Sequence, residues 1–132
     1  MNITRNAVYD YVQSAVATAH TNAYIAGVYE PVPPSLPAVF IRETIDYRNR
    51  ENMTFTGVQG VRTSTFEVQV VSGKSNGSMS VAYSLLDTVR QAFFALHYNE
   101  INVSIVEDGQ FGKYRIRASY RRVIGDADIM PT

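Results

Sequence analysis

An α+β domain, with two main helices on one face of a sheet of about four mostly antiparallel strands, is what this sequence predicts. Three observations carry that reading. Residues 3–20 and 78–97 repeat apolar side chains at helical spacing. Residues 64–71 and 100–125 alternate apolar and polar side chains, as half-buried strands do. The resulting order is helix, strand, long loop, strand, helix, strand, strand, which fits one layer of helices on one sheet. No internal repeat or boundary divides residues 1–132, so one domain is expected.

The first helix places Val8, Tyr11, Val12, Ala15, Val16 and Ala19 on one apolar stripe, with Asn2 or Thr4 able to cap its start. Four of the five prolines then fall in "EPVPPSLP", residues 30–37. That run excludes helix or a central strand, because proline lacks an N–H and fixes φ. It reads as a stiff connection into the first strand, "AVFIRETI". Residues 46–62, "DYRNRENMTFTGVQGVR", are polar and mixed in charge, with Gly57 and Gly60 at turn or hinge spacing. They read as a long loop or extended hairpin that protrudes, a length that favours a functional role.

In "STFEVQVV", Phe66, Val68 and Val70 point to one side and Glu67 and Gln69 to the other. In the second helix Met79, Ala82, Tyr83, Leu86, Val89, Phe93 and Leu96 line one face, and Ser75, Asn76 or Ser78 can cap its start. Leu85 and Phe94 lie off that stripe, which suggests a second covered face. The remaining strands form a hairpin with Asp108-Gly109 as its turn. Its alternation buries Ile101, Val103 and Ile105, then Tyr114, Ile116, Ala118 and Tyr120. Residues 125–132 are a short polar tail, expected to fray or to serve in contact.

Composition narrows the function classes. Twelve basic and twelve acidic side chains cancel, so nothing draws the whole molecule to nucleic acid or an anionic membrane. The chain has no cysteine, which removes disulfides, thiolate metal sites and cysteine nucleophiles. No apolar run is long enough to span a bilayer, and the start lacks the pattern of a signal peptide. A soluble protein of a cytoplasm is expected, and the Asn-x-Ser/Thr triplets at Asn2, Asn52, Asn76 and Asn102 then read as chance.

Candidate chemistry is sparse. "VVSGKSNGS" has the strand, Gly-Lys-Ser, helix order of a phosphate-binding loop, but such a loop needs glycine where Val68 stands. His20 and His97 each end a helix, where an imidazolium favours the helix dipole, and neither has a companion at ligand spacing. Asp126 and Asp128 lie in the tail as solvated charges. No catalytic, cofactor or metal residue is assigned. The concentrated charge is on the last strand, where Lys113, Arg115, Arg117 and Arg121 share the side opposite Tyr114, Ile116, Ala118 and Tyr120, and Arg122 adds a basic group at the end. One reading is a solvated face countered by Glu67 and Glu43 on neighbouring strands. The other is a basic surface facing nucleic acid or an acidic subunit. Nine tyrosines and six phenylalanines, including Tyr9, Tyr24, Tyr29, Tyr47 and Phe55, exceed what one small core needs and favour subunit contact.

The whole pattern resembles the tail terminator and tail completion proteins of long-tailed bacteriophages. The resemblance lies in the N-terminal helix, "EPVPPSLPAVFIRE" leading into a strand, and the long polar segment after it. It continues in "TSTFEVQVVS" before the helix "SVAYSLLDTVRQAFFAL" and in a closing hairpin that ends "YRIRASYRRVIG". It spans nearly the whole chain but rests on architecture and loose patterns, without an invariant motif. What it implies is a structural virion protein at the tail–head junction, assembled in the host cytoplasm. Such proteins form a ring, usually a hexamer, that caps the head-proximal end of the tail tube and stops its polymerisation. The ring meets the head–tail connector or stopper protein, and DNA passes through its channel without sequence-specific binding. The family carries no cofactor or catalytic residue. Tyr47, Arg48, Arg50, Phe55 and Arg62 are then expected to contact the tube or a neighbouring subunit. Lys113, Arg115, Arg117 and Arg121 would line the channel or a subunit interface. A head-completion or adaptor protein, or a tube subunit, is the nearest alternative, and a small hydrolase with His97 as base is a distant one.

Overall fold

A computed structural model describes residues 5–28, 33–44, 62–73, 79–108 and 113–124. The elements in chain order are α1 (Arg5–Ala19), β1 (Tyr24–Ala26), β2 (Ala38–Thr44), β3 (Arg62–Gly73), α2 (Met79–Ala95), β4 (Asn99–Asp108) and β5 (Lys113–Ile124). The strands form one sheet in the order β1-β2-β3-β5-β4. β1 runs parallel to β2, and the other neighbours are antiparallel. This is the expected α+β architecture with a fifth strand. β1 is only three residues long, too short to show a period, and it forms because Pro37 presents its carbonyl to the Tyr24 amide at 2.9 Å.

Both helices lie on one face. Val8, Val12 and Val16 of α1 and Ala82, Leu85, Leu86, Val89, Ala92 and Phe93 of α2 are buried there against Val39, Ile41, Phe66, Val68, Val70, Ile116, Ala118 and Tyr120 of the sheet. The buried stripe of α2 is rotated from the sequence expectation: Leu85 is inside, and Tyr83 and Phe94 are exposed. Phe93 is the hub of an aromatic cluster, stacked on Tyr120 at 4.5 Å and meeting Tyr98 at 5.2 Å and Phe66 at 5.5 Å. Each such pair adds about 0.5–1.5 kcal/mol beyond the burial of its area.

Helices about 10 Å wide, set side by side, cover roughly four strands spaced about 4.8 Å apart. With β1 added on one side, β4 falls beyond α2 on the other. Ile101, Val103 and Ile105 are accordingly 48%, 38% and 49% exposed, against the expectation that this strand buries them. The register places Val103 beside Ala118 and Ile105 beside Ile116, both core positions, so Val103 and Ile105 do point to the helix side. What they lack is a helix above them.

β3 is the central strand and is buried more completely than its alternation suggests. Gln69 and Ser72 are inside along with Phe66, Val68 and Val70. A small second cluster of Ala38, Phe40 and Val71 lies on the other face under Leu36. Leu36 Cδ1 would sit 3.0 Å from a Cβ on Gly73, so the glycine of Gly-Lys-Ser answers a close packing approach. Residues 69–72 are strand, as the missing glycine at Val68 implied.

Among the described residues, no helix is long and apolar enough to cross a membrane.

Candidate functional site

The face of the sheet turned away from the helices collects arginines. Along β5, Arg115, Arg117 and Arg121 alternate with the core residues Ile116, Ala118 and Tyr120, and Arg117 and Arg121 are exposed. Residues two apart on a strand stand about 6.8 Å apart on the same face. Arg42 joins them from β2, two strands away.

Glu67, on β3 between them, is their described counter-charge. Its Oε2 accepts from Arg42 Nη2 at 3.3 Å, and its Oε1 lies 3.5 Å from Arg117 Nε. Gln69 Nε2 also donates to Glu67 Oε1, at 3.1 Å. Burial pushes the Glu67 carboxyl up, but the hydrogen bonds from Gln69 and Arg42 and the charges of Arg42 and Arg117 outweigh it, so its pKa lies below the usual carboxylate range. Arg121 turns its Nε to Thr65 Oγ1 at 3.3 Å. One carboxylate thus serves two guanidinium groups, and the described face keeps an excess of positive charge.

Two residues grouped with this face by sequence lie on the other side. Glu43 pairs in register with Phe66, and its Oε2 accepts from Ser64 Oγ at 3.3 Å. Ser64 Oγ in turn receives the Tyr98 hydroxyl at 2.7 Å, so Glu43 belongs to a polar network beneath the helices. Arg122 follows the alternation to that side too, where its Nη1 donates to the Leu96 carbonyl at 2.7 Å and closes the end of α2. It is not a fifth group of the basic surface.

Of the other expected contact residues, Tyr47, Arg48, Arg50 and Phe55 lie outside the described residues. So do the side chains of Arg62 and Lys113, although the backbone of both is in strand. Tyr29, the Asp108-Gly109 turn beyond Asp108, the helix caps and the tail also lie outside them.

The histidines work locally. His20 Nε2 and Thr88 Oγ1 are 2.9 Å apart, which ties the end of α1 to α2. His97 has φ 65° and ends α2 through its backbone: its N–H bonds the Phe94 carbonyl, and the Tyr98 N–H bonds the Phe93 carbonyl, both at 2.9 Å. That is a Schellman closure, with Tyr98 packed on Phe93 as its apolar contact. The sequence signal, a residue tolerant of positive φ just past an apolar helix, was there to read, but histidine there is less telling than glycine.

A cavity of about 400 Å³ opens between the start of α1 and the ends of β1 and β2. Arg5, Tyr9, Val28, Arg42, Glu43 and Phe66 are among the residues that line it. Burial, and then the Asp10 charge, raise the Tyr9 phenol above its ordinary pKa. The lining mixes both charge signs without gathering one set of ligands. Among the described residues no three His, Cys, Asp or Glu side chains come together as metal ligands would.

No family model and no curated protein matches this chain.

Proposed function

We propose that this protein is a ring-forming structural subunit of the tail terminator type, which caps a phage tail tube and joins it to the head connector. One observation carries the reading: a sheet covered by helices on one face carries Arg42, Arg117 and Arg121, all exposed, and the half-buried Arg115 on the other, with Glu67 as their described counter-charge. A net-neutral chain that segregates charge in this way suits a part that lies against a polyanion or an acidic neighbour within an assembly. The order of elements agrees with the resemblance drawn from the sequence.

The test is assembly on tubes. Sedimentation and electron microscopy of the protein, alone and mixed with purified phage tail tubes, are expected to give rings on one tube end that stop further growth. A protein that neither binds tubes nor limits their length would overturn the proposal. The double variant Arg115→Glu, Arg117→Glu then reads the role of the face. Rings that form but impair DNA passage place the arginines in the channel, and loss of rings places them between subunits.

A further inference from the structure

We infer that α2 pairs with α2 of a second copy of this chain, antiparallel, about a two-fold axis level with the Thr88–Val89 peptide bond. Tyr83, Asp87, Arg90 and Phe94 follow one another at the spacing of one helix stripe. Both aromatics are exposed, and so is Asp87. Asp87 and Arg90 are the charged residues of α2, and Tyr83 and Phe94 are its aromatics outside the core. The rest of its exposed surface, Ser80, Ser84, Gln91 and Ala95, is uncharged. At about 100° per residue, the stripe is centred about 130° around the helix from the buried one. Thr88, tied to His20, faces α1, while Arg90 reaches β4 through Glu100, so the stripe looks outward on the β4 side. A second helix can approach it there without meeting the sheet.

The stripe is complementary to itself. Tyr83 and Phe94 lie equally far along the helix from the level of the axis, and so do Asp87 and Arg90. The pairing therefore sets Tyr83 of each copy against Phe94 of the other, and Asp87 of each against Arg90. Arg90 gives its Nε to Glu100 at 2.8 Å, and a guanidinium has five donors, so its terminal nitrogens can meet a second carboxylate. A parallel pair would set Asp87 against Asp87 and Arg90 against Arg90. Moving the antiparallel axis to Asp87 or to Arg90 sets that charge against its own image. The Thr88–Val89 register avoids like charges and matches aromatic to aromatic.

The edge of β4 does not compete for the second copy. Its ladder with β5 shifts register between Glu100 and Asn102, and Glu100 turns inward to Arg90. A bulge and an inward charge both oppose edge pairing. The helix stripe is only roughly 16 Å long. Alone it falls short of the roughly 1,200 Å² of a stable interface, so the dimer is a weak one.

This inference concerns the free protein and does not depend on the tail-tube reading, since a two-fold contact closes at two copies and builds no ring. Sedimentation at rising concentration is expected to show a monomer–dimer equilibrium. Asp87→Arg sets a cation against Arg90 at two places and is expected to raise the dissociation constant roughly tenfold or more, as is Tyr83→Ala. The absence of native cysteine allows a test of geometry that the exposed positions tolerate. Tyr83→Cys and Phe94→Cys proteins, when mixed, are expected to crosslink to each other through a short bismaleimide. Each alone is expected to stay uncrosslinked, because like positions lie about 16 Å apart along the paired axes. A wild-type monomer at every concentration up to the solubility limit overturns the pairing. So do dimers indifferent to Asp87→Arg, and so do crosslinks between like positions. Dimers that crosslink as expected but never bind tail tubes would leave the pairing standing and overturn the proposed function. Rings on tubes from a protein whose mixed variants do not crosslink would do the reverse.

Discussion

Arg90 Nε donates to Glu100 Oε2 at 2.8 Å, and this bond fastens the second helix to the edge strand. The same oxygen accepts the Tyr120 hydroxyl at 2.9 Å, so one carboxylate joins α2, β4 and β5. Glu100→Gln is expected to destabilise the fold by about 1–2 kcal/mol, because charge-assisted bonds are the stronger kind but this pair is partly solvated. Urea unfolding measures it, and an unchanged midpoint would count against the clamp.

Tyr120 makes the same clamp sensitive to alkali. Burial first, and then the hydrogen bond and charge of Glu100, raise its phenol well above the ordinary value. A raised folded pKa contributes stability that is complete below the unfolded value of about 10 and is lost as pH rises above it. Stability should therefore decline above about pH 10, and the decline should be shallower in Tyr120→Phe, which keeps the stacked ring. Equilibrium unfolding from pH 8 to 11 compares the two.

Glu67 acts at the acid end. Its folded pKa lies below the usual carboxylate range, so its contribution is present above about pH 4.3 and is lost as pH falls through the folded value. Both arginines it meets are about half exposed, so Glu67→Gln is expected to cost under about 1 kcal/mol at neutral pH. It should also flatten the acid limb and strengthen binding to heparin or DNA columns, by removing the described counter-charge of the basic face. Salt-gradient elution reads the second effect.

His97 ends α2 in a left-handed conformation, which glycine adopts without steric cost. His97→Gly is expected to stabilise the protein by about 0.5–1 kcal/mol, visible as a higher melting temperature. Destabilisation would indicate that the imidazole makes contacts worth more than the backbone relief.

Phe93 touches three aromatic rings at the centre of the core. Phe93→Ala should cost about 3–5 kcal/mol, a large share of the roughly 5–15 kcal/mol that holds a domain folded. Phe93→Leu should cost less, since it leaves a smaller cavity, and chemical denaturation ranks the pair.

Much of this fold was legible locally. The 3.6-residue period marked both helices, and alternation along β5 put Arg115, Arg117 and Arg121 opposite Ile116, Ala118 and Tyr120. Val68 where a phosphate loop needs glycine marked residues 69–72 as strand, as they are. Arg122 was legible by the same parity, and counting it with the basic face gave weight to sequence proximity over alternation. Glu43 was harder: its side follows only from its register with Phe66, which joins residues far apart in the chain.

β4 marks the limit. Its pattern is that of a half-buried strand, yet the side chains expected inside are half exposed. The sequence by itself determined both helices, the four longer strands and the alternating sides of β3 and β5, because these are set by the chain's own periodicity. The tertiary structure decided which faces are covered. Three residues of β1 add a fifth strand to a sheet that two helices of ordinary width cover for about four. Coverage depends on strand order across the whole sheet, and no single segment encodes it.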